Sequence, residues 1–247
     1  MTQPDIDLAV LDIAGTTVDD GQQVYKVLAQ TARAHGATPS DADIARWHGA
    51  AKHEALKALL TESSGVGPGP EQLATVVEDF RTRLRAAYAD HPPVPLPGVV
   101  ETLGRLRQAG VRVILNTGFD REIVTTLLAA LGWDGDAVVD GVVCGSEVAQ
   151  GRPAPYMIFR AMELAGVTAR SRVLVAGDTP RDLQAGINAG AGYVVGVLSG
   201  AGTVAELGVE RHTHLLGSVA DVPQLIGAGS EQPVCPTAGR GVVDLPS

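Results

Sequence analysis

Short apolar runs recur along the chain, and between them the apolar positions fall at helical spacing. DLAVLD (7–12), VRVILN (111–116), VVDGVV (138–143), RVLVAG (172–177) and YVVGV (193–197) predict strands, and a weaker run lies near 213–216. Helical periodicity is predicted near 98–109, 120–131, 154–165, 180–189 and 219–226. Continuously apolar strands separated by helices of this length predict an α/β fold: a doubly wound parallel sheet with helices on both faces.

From about residue 18 to 90 the alternation stops. The stretch is helical in pattern, punctuated by GVGPGP (65–70), and ends in the proline-rich connector HPPVPLPG (91–98). Proline runs of this kind suit neither a helix interior nor a central strand. The expected organisation is an α/β core from residues 1–18 and 91–247 with an inserted all-helical cap at 19–90. The Pro/Gly-rich tail from Gly229 reads as a loosely attached extension.

Composition narrows the class. The chain has 247 residues, 45% hydrophobic and 19% charged, enough for a sizeable core. A net charge of −9 argues against a nucleic-acid or anionic-membrane surface while leaving room for a local phosphate pocket. No run approaches the ~18 apolar residues of a membrane span, and the start has no basic, apolar leader. Cys144 and Cys235 have no metal-ligand or framework spacing, so a cytoplasmic protein is expected. Only Lys26, Lys52 and Lys57 among the 19 basic residues are lysines. Lysine, unlike arginine, can become a neutral amine when its surroundings favour it.

The chemistry-bearing residues sit where predicted strands end, which is where open α/β sheets collect ligands. Asp12 ends the first, Asn116-Thr117-Gly118 the second, and Asp178-Thr179 the fourth, with Asp182 one helical turn on. Gly151-Arg152-Pro153 precedes the helix after the third. Separated carboxylates, a hydroxyl and an arginine suit a phosphoryl group beside a hard cation. The AGTT turn (14–17) is expected to offer backbone N–H groups to the same anion. Each residue also has a plainer reading as a helix cap, turn former or surface charge. The first βα turn lacks GxGxxG, which argues against a dinucleotide site.

DIAGTT, NTG, GRPAP and GDTPRDLQAGINAG, in that order, resemble the four motifs of the haloacid dehalogenase superfamily. Most phosphatases of that superfamily carry a second aspartate two residues after the first and a lysine in the third motif. Here those places are Ala14 and Arg152, the pattern of the phosphonatase-like (phosphonoacetaldehyde hydrolase-like) branch. The resemblance implies Asp12 as nucleophile, and Mg²⁺ held by Asp12, the Ala14 carbonyl and Asp178, with Asp182 behind them. It implies a phosphoryl group bound by Gly15, Thr16, Thr117, Gly118 and Arg152. It also implies a cap lysine in a GxxK context that forms a Schiff base; residues 49–52 are Gly-Ala-Ala-Lys. On a helix starting near Ala50, Lys52 shares a stripe with Leu56, Leu59 and Leu60, while Lys57 points away. The helix dipole and burial both favour its neutral form.

A Schiff base also explains Ala14. Phosphate monoesters need an acid beside the nucleophile for the leaving alkoxide. Cleaving the C–P bond of a 2-oxoalkylphosphonate needs an electron sink instead, which a protonated imine supplies. The chain departs from the branch at four cap and motif positions: Ala55 for a histidine, His48 for a methionine, Phe119 for a tyrosine and Gln22 for a cysteine. His48 is therefore a candidate for substrate binding and proton transfer. The expected partner is a small phosphonate or phosphate substrate, with no nucleic acid or membrane, and a homodimer is left open. The alternatives are a phosphomonoesterase of a small phosphorylated metabolite, similar to phosphoglycolate phosphatase, and a catalytically silent binding protein.

Overall fold

The computed structural model describes residues 5–133 and 138–227; the tail from Gly229, with Cys235, lies outside them. The chain opens with strand β1 (Leu8–Asp12) and a two-residue strand β2 (Val18–Asp19), then helices α1 (Gln23–Ala34), α2 (Asp41–Ala45), α3 (Lys52–Ser64) and α4 (Pro70–Asp90). A second two-residue strand, β3 (Val94–Pro95), leads to α5 (Val99–Gln108), β4 (Arg112–Thr117), α6 (Arg121–Leu131) and β5 (Gly141–Cys144). After them come α7 (Tyr156–Ala165), β6 (Val173–Gly177), α8 (Pro180–Ala189), β7 (Tyr193–Val197), α9 (Val204–Gly208), β8 (His214–Leu216) and α10 (Pro223–Gly227).

Six strands form one parallel sheet in the order β5-β4-β1-β6-β7-β8. β1 is central and buried throughout, and its alternation feeds two cores. Leu8 and Val10 belong with Met157, Ile158 and Ala161 of α7; Ala9 and Leu11 belong with Val99, Leu103 and Leu106 of α5. Period-two geometry sends neighbouring side chains to opposite faces, so a strand covered on both sides reads as continuously apolar. β1 lies between β4 and β6, so the strand order reverses at its carboxyl end. Asp12 stands there, paired in register with Asn116.

The six parallel strands match the six predicted runs. β5 starts three residues late because the Asp140 carboxylate takes the Val113 amide at 2.8 Å, ending the ladder there. The helix expected near 219–226 is a 3₁₀ turn (Val219–Asp221) followed by α10, which starts at Pro223, a residue with no amide hydrogen to extend a preceding helix. Three short elements, α9, β2 and β3, were not expected. α9 is capped by the Thr203/Glu206 box. β2 and β3 pair antiparallel, Val18 with Pro95 and Asp19 with Val94, where the chain leaves for and returns from α1–α4.

Candidate active site

Asp12 is brought to the surface of the sheet by β1 and remains 6% exposed. The next residues fold back sharply. Gly15 has φ +84°, and a Cβ there would meet Asp178 Oδ2 at 2.5 Å, so the turn needs glycine twice over. The Thr16 hydroxyl donates to Asp178 Oδ1 at 3.0 Å, and the Thr17 hydroxyl to the Asp12 carbonyl at 2.8 Å. Three of this turn's four amides are engaged within the turn. Gly15 N donates to Val18 O, and Thr16 N and Thr17 N both donate to Ile13 O. These N–H groups close the turn on itself, and Gly15 and Thr16 hold Asp178 against Asp12.

Asp178 follows β6 and is 1% exposed. Ala201 N donates to its Oδ2 at 2.7 Å, and a Cβ on Gly200 would meet that oxygen at 2.0 Å. The Gly-Ala-Gly stretch at 200–202 is thus the backbone wall of this carboxylate. Asp182 caps the start of α8, its Oδ2 accepting from Thr179 N at 3.1 Å and Thr179 Oγ1 at 2.5 Å.

Arg152, 2% exposed, is the hub. Its guanidinium pairs with Asp12 Oδ1 at 2.7 Å and Asp182 Oδ1 at 2.8 Å, and donates to Asn116 Oδ1 at 2.8 Å and Gly49 O at 3.4 Å. Its Nε–H is buried and has no partner among the described residues. Asn116 is thus a site residue whose partner only the fold reveals.

Burial pushes the Asp12 carboxyl up, opposed by Arg152. Burial and the negative charges of Asp12 and Asp182 push Asp178 up as well. Among the described residues no cation lies within ion-pair distance of Asp178. Nor do any three His, Cys, Asp or Glu side chains there form a metal-holding group. Two buried, mutually repelling carboxylates beside a turn of peptide oxygens nonetheless fit a hard, oxygen-seeking cation, with a backbone carbonyl as third ligand.

The helical segment contributes Lys52. It is the first residue of α3, two later than expected, and is 7% exposed, while Leu56, Leu59 and Leu60 are buried on its face and Lys57 is exposed. Its amine donates to Ala50 O at 3.0 Å and lies 5.1 Å from the Tyr25 ring centre and 5.6 Å from that of Phe119. Desolvation lowers its pKa to about 8, against the pull of Asp12. Asp12, Ala14, Tyr25, Gly49, Lys52, Thr117, Gly118, Phe119 and Arg152 line one tight cleft of about 10 Å³, about the room one water molecule needs. Thr117 Oγ1 accepts from Phe119 N at 3.2 Å, and Gly118 lies under Ala50, where a Cβ would meet its carbonyl at 2.4 Å. His48 lines a neighbouring groove with Gln22, Tyr25 and Lys26, and its ring packs on Tyr25 with centres 4.0 Å apart.

A family profile described as a haloacid dehalogenase-like hydrolase matches residues 6–190. A phosphonoacetaldehyde hydrolase of Paraburkholderia xenovorans is 31% identical over 199 residues, 76% of this chain and 73% of that protein. A bifunctional phosphonoacetaldehyde hydrolase/aminoethylphosphonate transaminase of Clostridioides difficile is 32% identical over 159 residues, 63% of this chain but only 24% of that protein. The crystal structure of a phosphonoacetaldehyde hydrolase-like protein from Oleispira antarctica superposes with TM-score 0.75 at 20% identity, covering 91% of this chain and 92% of that one.

The chain belongs to the haloacid dehalogenase superfamily and is a hydrolase of that family. Within the superfamily it falls in the phosphonatase-like branch, as Ala14 and Arg152 lead one to expect. No helix among the described residues is long and apolar enough to cross a membrane.

Proposed function

We propose that this hydrolase cleaves the C–P bond of a small 2-oxoalkylphosphonate, with Asp12 attacking phosphorus and Lys52 holding the carbonyl carbon as an imine. The observation that carries the reading is the shared cleft: a buried, easily neutralised lysine beside Asp12, with Ala14 where an acid would stand. The neutral Lys52 amine adds to the carbonyl to give a carbinolamine, whose hydroxyl takes up a proton from the solvent and leaves as water, so that a protonated imine remains. Asp12 Oδ attacks phosphorus as the C–P bond breaks, and that electron pair moves into the iminium to form an enamine. Carbon protonation and hydrolysis of the imine release the aldehyde or ketone, and water hydrolyses the aspartyl phosphate.

Thr117 and Arg152 hold the phosphoryl oxygens; the unpartnered Arg152 Nε–H is a donor awaiting one. Mg²⁺, held by Asp12, Asp178 and the Ala14 carbonyl, would offset the repulsion between nucleophile and substrate charge. Asp182 acts through Arg152, to which it is paired. The work is divided between a core (1–18 and 91–247) and a helical cap (19–90).

Borohydride reduction in the presence of phosphonoacetaldehyde tests the reading. The expected result is irreversible inactivation, with the added mass on the peptide containing Lys52. Turnover without any adduct at Lys52 would favour a phosphomonoesterase in which Lys52 only binds substrate.

A further inference from the structure

The branch's cap histidine is absent, and the residue in its place, Ala55, is fully buried. Its obvious substitute, His48, borders the neighbouring groove rather than the cleft that holds Asp12 and Lys52. Imine chemistry still requires protons to move between nitrogen and oxygen, so some other group beside Lys52 has to carry them.

Tyr25 stands beside Lys52 in the same cleft. It projects from the first turn of α1 into the cleft of Asp12, Lys52, Thr117 and Arg152. The Lys52 amine stands 5.1 Å from the centre of its ring. Its hydroxyl accepts from Gly49 N at 3.3 Å, and among the described residues nothing accepts the hydroxyl hydrogen in turn. The phenol therefore presents a free O–H donor and an oxygen already fixed by a backbone amide. The ring packs on that of His48, centres 4.0 Å apart. Burial, the chief cause, keeps the phenol protonated above its ordinary range, so it enters the reaction as a donor.

We propose that Tyr25 is the proton relay of the Lys52 imine chemistry, the catalytic group that this chain uses in place of the missing cap histidine. The inference rests on the imine reading given above. When the Lys52 nitrogen adds to the carbonyl carbon, the C=O π pair moves to oxygen and nitrogen becomes positive. The Tyr25 hydroxyl gives its proton to that oxygen, and the phenolate takes one from nitrogen. A neutral carbinolamine results and Tyr25 ends as it began. The reverse relay, from oxygen to nitrogen, serves collapse of the product carbinolamine. No oxidant or further reactant is needed.

Tyr25→Phe tests this because it removes one oxygen while keeping the ring over Lys52 and against His48. With phosphonoacetaldehyde, kcat and the rate of borohydride-trapped imine formation should both fall on the order of a hundredfold, with KM within about twofold. Tyr25→Leu, which also removes the ring, should raise KM as well. A Phe variant that traps the imine and turns over at the wild-type rate overturns the relay while leaving the imine reading intact. A Phe variant slowed only through a raised KM also overturns it, making Tyr25 a binding residue. A wild-type enzyme that turns over yet yields no adduct overturns both.

Discussion

The core and the helical segment meet at one cleft, but they place their groups by different physics. Asp12, Asn116 and Thr117 sit on strands whose backbones are locked in a parallel ladder, buried on both faces. Lys52 is placed by close contact instead. The Gly49–Ala51 backbone rests on small residues of the core: a Cβ on Gly49 would meet Thr179 Oγ1 at 2.3 Å, and one on Gly151 would meet Ala51 Cβ at 3.2 Å. Side chains then clasp the two regions. Arg181 donates to Arg152 O and to Arg46 O, both at 3.2 Å, with its guanidinium 5.1 Å from the Trp47 ring centre. Arg81 pairs with Asp120 at 2.8 Å, Arg85 pairs with Glu122, and Gly151 N donates to Glu54 at 3.3 Å. Phosphoryl chemistry should therefore tolerate disturbance of the clasps better than lysine chemistry does.

The largest effect should come from the core. Asp12→Asn removes the nucleophile, and turnover should fall by on the order of four or more decades, while the circular dichroism spectrum stays native. Next is Arg152→Lys, which keeps a charge but loses the planar fork. It should cost about 2–4 kcal/mol in kcat/KM, comparable to losing a preorganised donor. Both substitutions should depress phosphonate and aryl phosphate hydrolysis together.

Arg181→Ala should separate the two regions. It removes the stacking on Trp47 and both carbonyl contacts, one of them to the Arg152 backbone, while leaving the Arg152 guanidinium paired with Asp12. Phosphonate cleavage should drop about tenfold, roughly 1.4 kcal/mol, and aryl phosphate hydrolysis much less. Equal losses on both substrates would mean that the clasp supports the core and not Lys52.

The smallest effect is a shape. Only the neutral Lys52 amine attacks, and burial lowers its pKa to about 8, so kcat/KM for phosphonate should climb as pH rises toward that value and level off above it. At lower pH the protonated amine prevails and the rate should fall about tenfold per unit. An aryl phosphate should show no such limb.

The same contrast explains what could be read from the chain. The strand ends carrying Asp12, Thr117 and Asp178 were legible because a buried parallel strand is a continuous apolar run and its end is marked by the first polar residue. Lys52 came from the GxxK resemblance, and its stripe with Leu56, Leu59 and Leu60 made its burial legible. Tyr25, Arg181 and the 200–202 wall were not, because each acts through a contact between segments far apart in sequence. The hydrogen bonds of the AGTT turn were not legible either: Gly15, Thr16 and Thr17 spend their amides on Val18 O and Ile13 O. The helix at 180 could be placed by Pro180 and Asp182, yet nothing in those letters shows Asp182 reaching Arg152.

Lys52→Arg tests the central claim most directly, assayed on phosphonoacetaldehyde and an activated aryl phosphate side by side. Arginine keeps the positive charge beside Asp12 but cannot form an imine. The account predicts that C–P cleavage vanishes while slow aryl phosphate hydrolysis, whose leaving group needs no electron sink, persists. Robust phosphonate cleavage by the arginine variant would contradict it, leaving Lys52 a substrate-binding charge and Ala14 without an explanation.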